Sequence, residues 1–321
     1  MIKRPLVSIV CLTFNHEEYL EQCLESFFLQ EVEFQIEILI HDDASTDGTV
    51  DIIDRYKEKY PNVIKPILQT ENQFSQGKGF VGLGLCFDLA VGKYIAYCEG
   101  DDYWIDSLKL KKQVEFLEAN KKFHVCTHDT EIRDSIGSKK NGVLFSKLLY
   151  NIFLKEPKQV YTLQDTFTGN IFHISSIMFR NEEVNFPIWV NRFSACDMVL
   201  FMLLAKRGDI YYMKDIMSVY RSNLNSVTRT RKEYSSQILF FRMSLNIVRL
   251  MNRHFDREYQ NAMYQIISRY YVELALVYLR KGNRSVKKAA EMGRLARKYD
   301  VRVYYKYSLI GIFNIIKHRL T

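Results

Sequence analysis

The sequence lacks closely spaced pairs of cysteines. Its 321 residues include six cysteines, which form no CxxC pair and no spacing typical of metal ligands. Most of them sit inside apolar runs, where a reduced cysteine behaves as a small hydrophobic residue. These absences argue against a disulfide scaffold and a cysteine-based metal site, and they predict a reducing, cytoplasmic compartment.

Glycine-rich phosphate-binding loops are missing as well. The turn after the first apolar run, "FNHEE", contains no glycine, so the backbone cannot approach a pyrophosphate there as it does in dinucleotide-binding domains. "GLGLCF", which begins at Gly82, has two of the three required glycines, and no Walker loop is present. The sequence therefore argues against a dinucleotide-binding domain and against a P-loop enzyme.

The apolar runs are too short for a membrane protein. The longest late run, "SLIGIFNII", is far shorter than the roughly 20 residues that a membrane-spanning helix needs. The N-terminus starts with basic residues, but its apolar run soon reaches Asn15, His16 and acidic residues, with no small-residue cleavage site. We therefore predict neither a membrane span nor a signal peptide.

The charge is unevenly distributed along the chain. Residues 229–321 carry 20 Lys and Arg against 6 Asp and Glu, a net charge of +14, whereas residues 1–228 carry 25 against 31, a net charge of −6. This asymmetry, together with a change in periodicity, predicts two parts. We expect a catalytic or binding domain over residues 1–228 and a basic, mostly helical region over residues 229–321.

Hydrophobic residues make up 47% of the chain, enough for a large core. The runs "LVSIVCLT", "IEILIHDD", "VIKPIL" and "KYIAYC" are typical of buried strands, and the segments between them have helical periodicity or capping residues. Further along, "FHVCTHDTEI" and "FHISSIMFR" resemble strands, "DMVLFMLLAKRG" resembles a helix ended by Gly208, and the pattern is helical from about Arg231. The alternation predicts an α/β fold with a mostly parallel sheet and helices on both faces.

Acidic residues follow two of the predicted strands, as Asp42–Asp43 and as the segment "EGDD" at Glu99–Asp102. Ligands of open parallel sheets bind beyond the carboxyl ends of the strands, so these acids are candidates for a shared site. Asp43 is suited to accept the N3–H of uracil, and Phe14 offers a flat face for stacking a base.

Glu99, Asp101 and Asp102 supply the oxygen ligands that Mg²⁺ or Mn²⁺ prefers, and such a metal would bridge the oxygens of a diphosphate. Each acidic motif alone fits a capping turn or a solvated loop about equally well. Their occurrence at two matching strand ends favours the site.

Three segments resemble, in order and spacing, the signatures of family 2 glycosyltransferases with the GT-A fold: "VSIVCLTFNHEEYLEQCLESFFLQ", "EILIHDDASTDGT" and "GKYIAYCEGDDYW". The resemblance runs from about Pro5 to Thr228. It implies an inverting, metal-dependent enzyme that transfers a sugar from a nucleotide-sugar, here UDP-linked. It also implies a nucleoside pocket, with Asp43 reading uracil, that is lined by Leu12, Thr13, Phe14 and Asn15.

The resemblance assigns further roles near the acidic motifs. Glu99 to Asp101 would be the DxD motif, with Asp101 as the metal ligand and Glu99 near the ribose, although glutamate replaces the first aspartate of the family pattern. Asp102 is a further donor-binding candidate, and Lys78 is one that would help to stabilise the leaving phosphate.

The family's acceptor-binding segment resembles a later stretch of this chain, "SACDMVLFMLLAKRGDIYYMKDIMSVYRSN". Its Asp197 maps onto the family's catalytic base. Members often carry a metal-binding histidine two residues after the "YR" pair, where this chain has Asn223. We expect His128 and His173 to be packing or hydrogen-bonding residues and not metal ligands, because neither has a partner at metal-ligand spacing.

The acceptor implied by the resemblance is a glycan or a lipid-linked glycan on the cytoplasmic face of a membrane, as in bacterial surface-polysaccharide assembly. Two alternatives remain open: a catalytically silent sugar-nucleotide or glycan-binding protein, and a sugar-1-phosphate nucleotidyltransferase, whose glycine-rich N-terminal loop is missing.

The basic tail interleaves tyrosine with arginine, as in "SRYYVELALVYLRKGNR". This pattern fits a helical appendage packed on the catalytic domain, and equally a surface that binds anionic lipid as a peripheral membrane protein does. Nucleic acid is not expected, because no nucleic-acid motif accompanies the basic residues.

Overall fold

The computed structural model describes residues 4–134, 139–146, 157–167, 171–182, 186–193, 197–222, 234–280 and 285–309. The chain divides into two compact units, Met1–Ser222 and Asn223–Thr321. The predicted boundary at residue 228 falls in a segment outside the described residues, so it stays a prediction.

The first half of the first unit alternates strand and helix as predicted. The strands are β1 (Val7–Thr13), β2 (Ile36–Asp42), β3 (Ile64–Leu68) and β4 (Tyr94–Tyr97), and the helices between them are α1 (Leu20–Phe28), α2 (Thr49–Lys59) and α3 (Val81–Leu89). The strands lie in the order β3-β2-β1-β4, and each neighbouring pair is parallel. β1 and β4 are buried along almost their whole length, which explains their continuous apolar sequence.

The second half of the unit extends the same sheet. It contains β5 (Tyr103–Trp104), β6 (Phe123–Asp134), β7 (Lys139–Leu144), β8 (Val160–Tyr161), β9 (Met178–Arg180) and β10 (Asp209–Ser222), with helices α4 (Lys109–Ala119), α5 (Leu163–Thr166) and α6 (Asp197–Arg207). The order continues β4-β9-β6-β10-β5, β7 pairs with β6, and β8 pairs with β10.

The sheet is parallel in its first half and mixed beyond it. β9 runs antiparallel to both β4 and β6, while β10 is parallel to β6. Of the predicted strand "FHISSIMFR", only Met178–Arg180 pairs as a strand, because Ile174–Ser176 forms a 3₁₀ turn. The long strand β10 follows the predicted end of α6 at Gly208, and the sequence pattern did not reveal it.

The core of the first unit lies between the sheet and its helices, where Phe27 packs on Trp104 with ring centroids 4.6 Å apart. Lys109 is fully buried in this region, with its Nζ 4.0 Å from the centroid of the Trp104 ring. The ammonium donates a hydrogen bond to Oε1 of Gln113 at 2.8 Å. Burial lowers the pKa of Lys109 to about 7.

Five of the six cysteines fall within the described residues: Cys11, Cys23, Cys86, Cys98 and Cys126. All five are buried and free of disulfide bonds. This agrees with the expectation that they serve as small hydrophobic residues, since burial raises the pKa of the Cys98 thiol to about 11 and keeps it protonated. Cys196 lies outside the described residues.

The second unit is helical, as predicted. Its helices are α7 (Tyr234–His254), α8 (Gln260–Arg280) and α9 (Val286–Tyr299), and residues 301–309 form a further helical segment. Ser268 on α8 ties this helix to α9 by donating to the carbonyl of Ala296 at 2.9 Å. Among the described helices, none combines the length and the apolar character that crossing a bilayer requires.

Candidate active site

The carboxyl ends of β1, β2 and β4 meet at one edge of the sheet. The backbone N–H of Asp43 donates to the carbonyl of Thr13 at 3.0 Å, and the N–H of Gly100 donates to the carbonyl of Leu12 at 2.9 Å. A Cβ on Gly100 would lie 2.9 Å from Nδ1 of His16, so this close approach needs glycine. The strand order therefore brings together the two acidic motifs that the sequence separates by more than 50 residues.

The predicted nucleoside pocket begins where β1 ends. Phe14 is 41% exposed, Leu12 is half-buried and Thr13 is buried. Asn15 adopts a left-handed backbone conformation (φ 53°), and its Oδ1 accepts the N–H of Thr46 at 2.8 Å. The Asn15 side chain thus holds the loop after β2, and the ring of Phe14 remains accessible to a ligand.

Asp43 is buried and has a role that the sequence pattern did not reveal. Its two carboxylate oxygens accept the backbone N–H groups of Gln73 at 2.8 Å and Phe74 at 2.9 Å. A carboxylate oxygen can accept a second hydrogen bond, so these contacts order the loop after β3 without excluding uracil. Lys78 lies exposed on the same loop, with its Nζ donating to Oε1 of Gln76 at 2.9 Å.

Three carboxylates cluster after β4. Glu99, Asp101 and Asp102 each offer an oxygen, and these atoms all lie within 4.8 Å of one another. Asp102 is fully buried; its Oδ1 accepts the backbone N–H of Arg221 at 2.9 Å. Its Oδ2 makes no hydrogen bond within the described part of the chain and lies 3.7 Å from Nδ1 of His173. Burial lowers the pKa of His173 to about 3, so this imidazole is neutral.

The carboxylates of the cluster disfavour one another's ionised form. Burial, together with the charges of Asp101 and Asp197, raises the pKa of Glu99 to about 8. Burial, followed by the charges of Asp101 and Glu99, also raises the pKa of Asp102 well above its usual range. Closely spaced oxygens that repel one another, one of them buried without a hydrogen bond, fit a hard divalent cation such as Mg²⁺ or Mn²⁺.

Asp197 is the first residue of α6, as the sequence predicted for a helix start. Its charge acts on both Glu99 and Tyr97, so its carboxylate lies near enough to the cluster to influence its titration. The residues just before it, 194–196, are outside the described part of the chain. Asn223, the predicted counterpart of a metal-binding histidine, is also outside it.

Sequence reasoning missed His16 as a neighbour of the cluster. Its Nε2 lies 4.0 Å from Oδ2 of Asp101, and its backbone N–H donates to Oγ1 of Thr49 at 2.8 Å. The histidine inside "FNHEE", directly after a strand that ends at the site, was the available signal. His128, in contrast, is fully buried and its Nδ1 contacts the carbonyl of Asp129 at 2.8 Å, a packing role.

Arg221 was also missed, and it fixes the geometry of the acidic loop. Its Nη1 donates to the carbonyl of Asp101 at 2.7 Å, and its Nη2 donates to Oε1 of Gln22 on α1. The guanidinium lies over the rings of Tyr103 at 4.4 Å and Tyr19 at 5.2 Å. The "YR" pair gave its position along the chain, but nothing local showed that it would reach Asp101, 120 residues earlier.

Comparison with known proteins gives a consistent result. The family model described as Glycosyl transferase family 2 matches residues 8–184. The uncharacterized protein Rv1520 of Mycobacterium tuberculosis is 32% identical over 225 residues, which cover 69% of this chain and 60% of that protein. The putative teichuronic acid biosynthesis glycosyltransferase TuaG of Bacillus subtilis is 27% identical over 74% of this chain and 87% of TuaG.

Among solved structures, residues 1–349 of S. aureus TarS in complex with UDP-GlcNAc superpose with a TM-score of 0.54. The identity is 18%, and the superposition covers 94% of this chain and 90% of that one. At this identity the likeness concerns the fold, and it confirms the GT-A architecture expected from the sequence. The chain spans about 60% of the length of its mycobacterial relatives.

Proposed function

We propose, because this chain belongs to glycosyl transferase family 2, that it transfers a sugar from a UDP-sugar to a hydroxyl group of a glycan or lipid-linked acceptor, with inversion at the anomeric carbon. The observation that carries the proposal is the carboxylate cluster of Glu99, Asp101 and Asp102 after β4, with Asp43 after β2, because these two strands flank β1. Ligands of open parallel sheets bind beyond the carboxyl ends of the strands, so a nucleoside would lie at one strand end and its diphosphate at the next.

The nucleoside would lie at the end of β1. Phe14 offers its exposed ring for stacking, and Leu12, Thr13 and Asn15 supply the walls and the loop geometry. Asp43 would accept the uracil N3–H through a lone pair not used by the backbone of residues 73 and 74. Cytosine lacks that hydrogen, so this contact favours uridine.

A divalent cation would be held by Asp101, with Glu99 and Asp102 close enough to share its charge. Such an ion supplies positive charge against the developing charge of the leaving diphosphate. Lys78, exposed on the loop that Asp43 orders, would add a second positive group.

Asp197 would act as the general base. Its carboxylate would take the proton of the acceptor hydroxyl while that oxygen bonds to the anomeric carbon, and the bond from this carbon to the UDP oxygen breaks on the opposite side. One in-line displacement of this kind inverts the anomeric configuration. The start of a helix suits the ionised form of such a base, since the helix dipole stabilises it.

The acceptor class is supported by TuaG, whose name places it in teichuronic acid biosynthesis. We propose a glycan or a lipid-linked glycan as acceptor, reached from the cytoplasmic side.

Calorimetry with UDP, in the presence and absence of Mn²⁺, tests the donor and metal assignments together. We expect Mn²⁺ to strengthen UDP binding at least about tenfold, and Asp101→Asn to abolish that gain. Asp54→Asn, an exposed acid on α2, is the matched control and should behave as wild type. Equal UDP affinity with and without metal in all three proteins would contradict the assignment.

Release of UDP from UDP-sugars in the presence of glycan acceptors separates an enzyme from a silent binding protein. We expect turnover that depends on both the acceptor and the metal. Tight, metal-dependent UDP binding without turnover over a broad panel of sugars and acceptors would support the silent binding protein instead.

A further inference from the structure

The helical segment of residues 301–309 exposes three apolar side chains along one line. Val301, Tyr305 and Leu309 follow one another at four-residue spacing and are 48%, 54% and 69% exposed. Residues four apart lie on the same face of a helix, so these side chains form a continuous apolar stripe. The opposite face packs inward, where the ring of Tyr307 lies 4.9 Å beneath the guanidinium of Arg269.

Exposed basic side chains lie on the helix that carries this apolar stripe and on the helix before it. Arg302 and Lys306 are exposed on the same helix, one position after Val301 and Tyr305. The preceding helix α9 buries Ala289 and Ala296 and exposes Lys287, Lys288, Arg294, Arg297 and Lys298, together with Glu291. Residues 285–309 thus expose seven basic side chains and one acidic side chain.

We propose that the apolar stripe and the basic side chains around it dock the second unit on an anionic lipid surface. Such a surface offers phosphate groups for Arg302 and Lys306 and hydrocarbon for the three apolar side chains. Nucleic acid would satisfy the arginines but gives Val301 and Leu309 nothing to bury against. The inference stands apart from the proposed function, although a lipid-linked acceptor would be found at the same surface.

The test is flotation of the full chain with two kinds of vesicle at about physiological salt. One kind contains phosphatidylcholine alone, and the other also contains 30% phosphatidylglycerol. We expect binding to the anionic vesicles only. Val301→Ser, Tyr305→Ser and Leu309→Ser in one variant should lower the partition coefficient at least about tenfold. Arg302→Gln with Lys306→Gln should lower it by roughly fivefold for each charge removed, and more strongly at low salt.

Matched variants come from the first unit. Leu29, Leu89 and Ile188 are as exposed as the stripe, and their replacement by serine should leave flotation unchanged. UDP binding should be the same in all variants, so failure of the docking proposal is distinguishable from failure of the proposed function. Vesicle binding of the stripe variant equal to wild type overturns the proposal. It is equally overturned if sedimentation velocity shows that the stripe holds two copies of the chain together while flotation is unaffected.

Discussion

Arg221 in the first unit and Arg249 in the second share one kind of contact, a guanidinium lying over two tyrosine rings. Arg221 lies over the rings of Tyr19 and Tyr103, and Arg249 lies over two other tyrosine rings at 5.6 and 5.8 Å. Their hydrogen bonds differ. Arg221 donates to a carbonyl of the acidic loop, whereas Arg249 donates to the hydroxyls of the tyrosines, Tyr271 and Tyr299.

The same contact between an arginine and two tyrosine rings therefore supports different roles in the two units. In the second unit the arginine and its tyrosines satisfy one another, so the contact stabilises helix packing. In the first unit the arginine positions a loop whose carboxylates repel each other, and Oδ2 of Asp102 is left without a hydrogen bond among the described residues. The kind of side chain does not distinguish a site from a core. The hydrogen-bond partners of the arginine differ: tyrosine hydroxyls in the second unit and the backbone of the acidic loop in the first.

The largest effect, on turnover, should come from replacing Asp197 in the first unit. We expect Asp197→Asn to lower turnover by about 10²–10⁴-fold while UDP affinity stays as in wild type, because a general base is lost and the donor contacts are retained. Asparagine keeps the shape and much of the ability to cap α6, so stability should change by no more than about 1 kcal/mol. Steady-state kinetics and calorimetry measure the two quantities.

Asp215→Asn, which removes an exposed acid from β10, is the control for that experiment. If Asp197→Asn still transfers sugar at a rate close to wild type, Asp197 is only a helix cap and the base lies elsewhere.

The next effect concerns the buried lysine of the first unit, which contrasts with the exposed basic residues of the second. The pKa of Lys109, about 7, lies below its ordinary value of 10.5, so between these values the unfolded chain binds more protons than the folded chain. Stability should therefore rise with pH above 7, by up to about 1.4 kcal/mol per pH unit from this group.

Lys109→Met should remove that rise. Urea unfolding at pH 7 and pH 8.5, with reductant present, measures the difference, and other titrating groups largely cancel between the two proteins. Lys111→Met, at an exposed position of α4, is the control and should keep the wild-type slope. A Lys109→Met slope identical to wild type would mean that the lysine is charged in the fold and compensated.

Replacing Arg221 and Arg249 in turn tests whether the two arginines have different roles. Arg221→Lys keeps the charge but cannot hold both the Asp101 carbonyl and Gln22, so we expect the metal-dependent gain in UDP affinity to fall about tenfold. UDP affinity without metal should not change, because Asp43 and Phe14 lie on other loops. Calorimetry with and without Mn²⁺ separates this positioning effect from general loss of folding, which would weaken both.

The smallest effect is expected in the second unit. Arg249→Lys should destabilise its helices by about 1 kcal/mol, since one planar group that donates to two hydroxyls is lost. UDP affinity should be unchanged with and without Mn²⁺. Thermal unfolding of the full chain measures the loss of stability, and calorimetry measures UDP affinity. If Arg249→Lys also changed metal-dependent UDP binding, the two arginines would not have different roles.

Much of the first half of the fold was predictable from the sequence. β1, β2 and β4 are short runs buried in a parallel sheet, and β3 is a largely half-buried strand at its edge. The helices between them have local periodicity or capping signals, so nearby residues specify each element. The same runs place acids just after two strands, and the topology of parallel sheets predicts that such ends meet. The mixed half was less predictable, because the insertion of β9 between β4 and β6 depends on pairing with strands far along the chain.

The sequence by itself determined which residue types stand at the strand ends: a phenylalanine, an aspartate pair, and three carboxylates around Gly100. It also determined the charge contrast between residues 1–228 and 229–321. These properties follow from composition and from periods of a few residues.

Only the tertiary structure decided what each acid does. Asp43 gained backbone partners 30 and 31 residues away, and Asp102 turned inward to the backbone of Arg221, 119 residues away. Whether a carboxylate is ionised, paired or open to a ligand depends on burial and on charges across space. Those quantities are set by strand order and register, which no local stretch of sequence encodes.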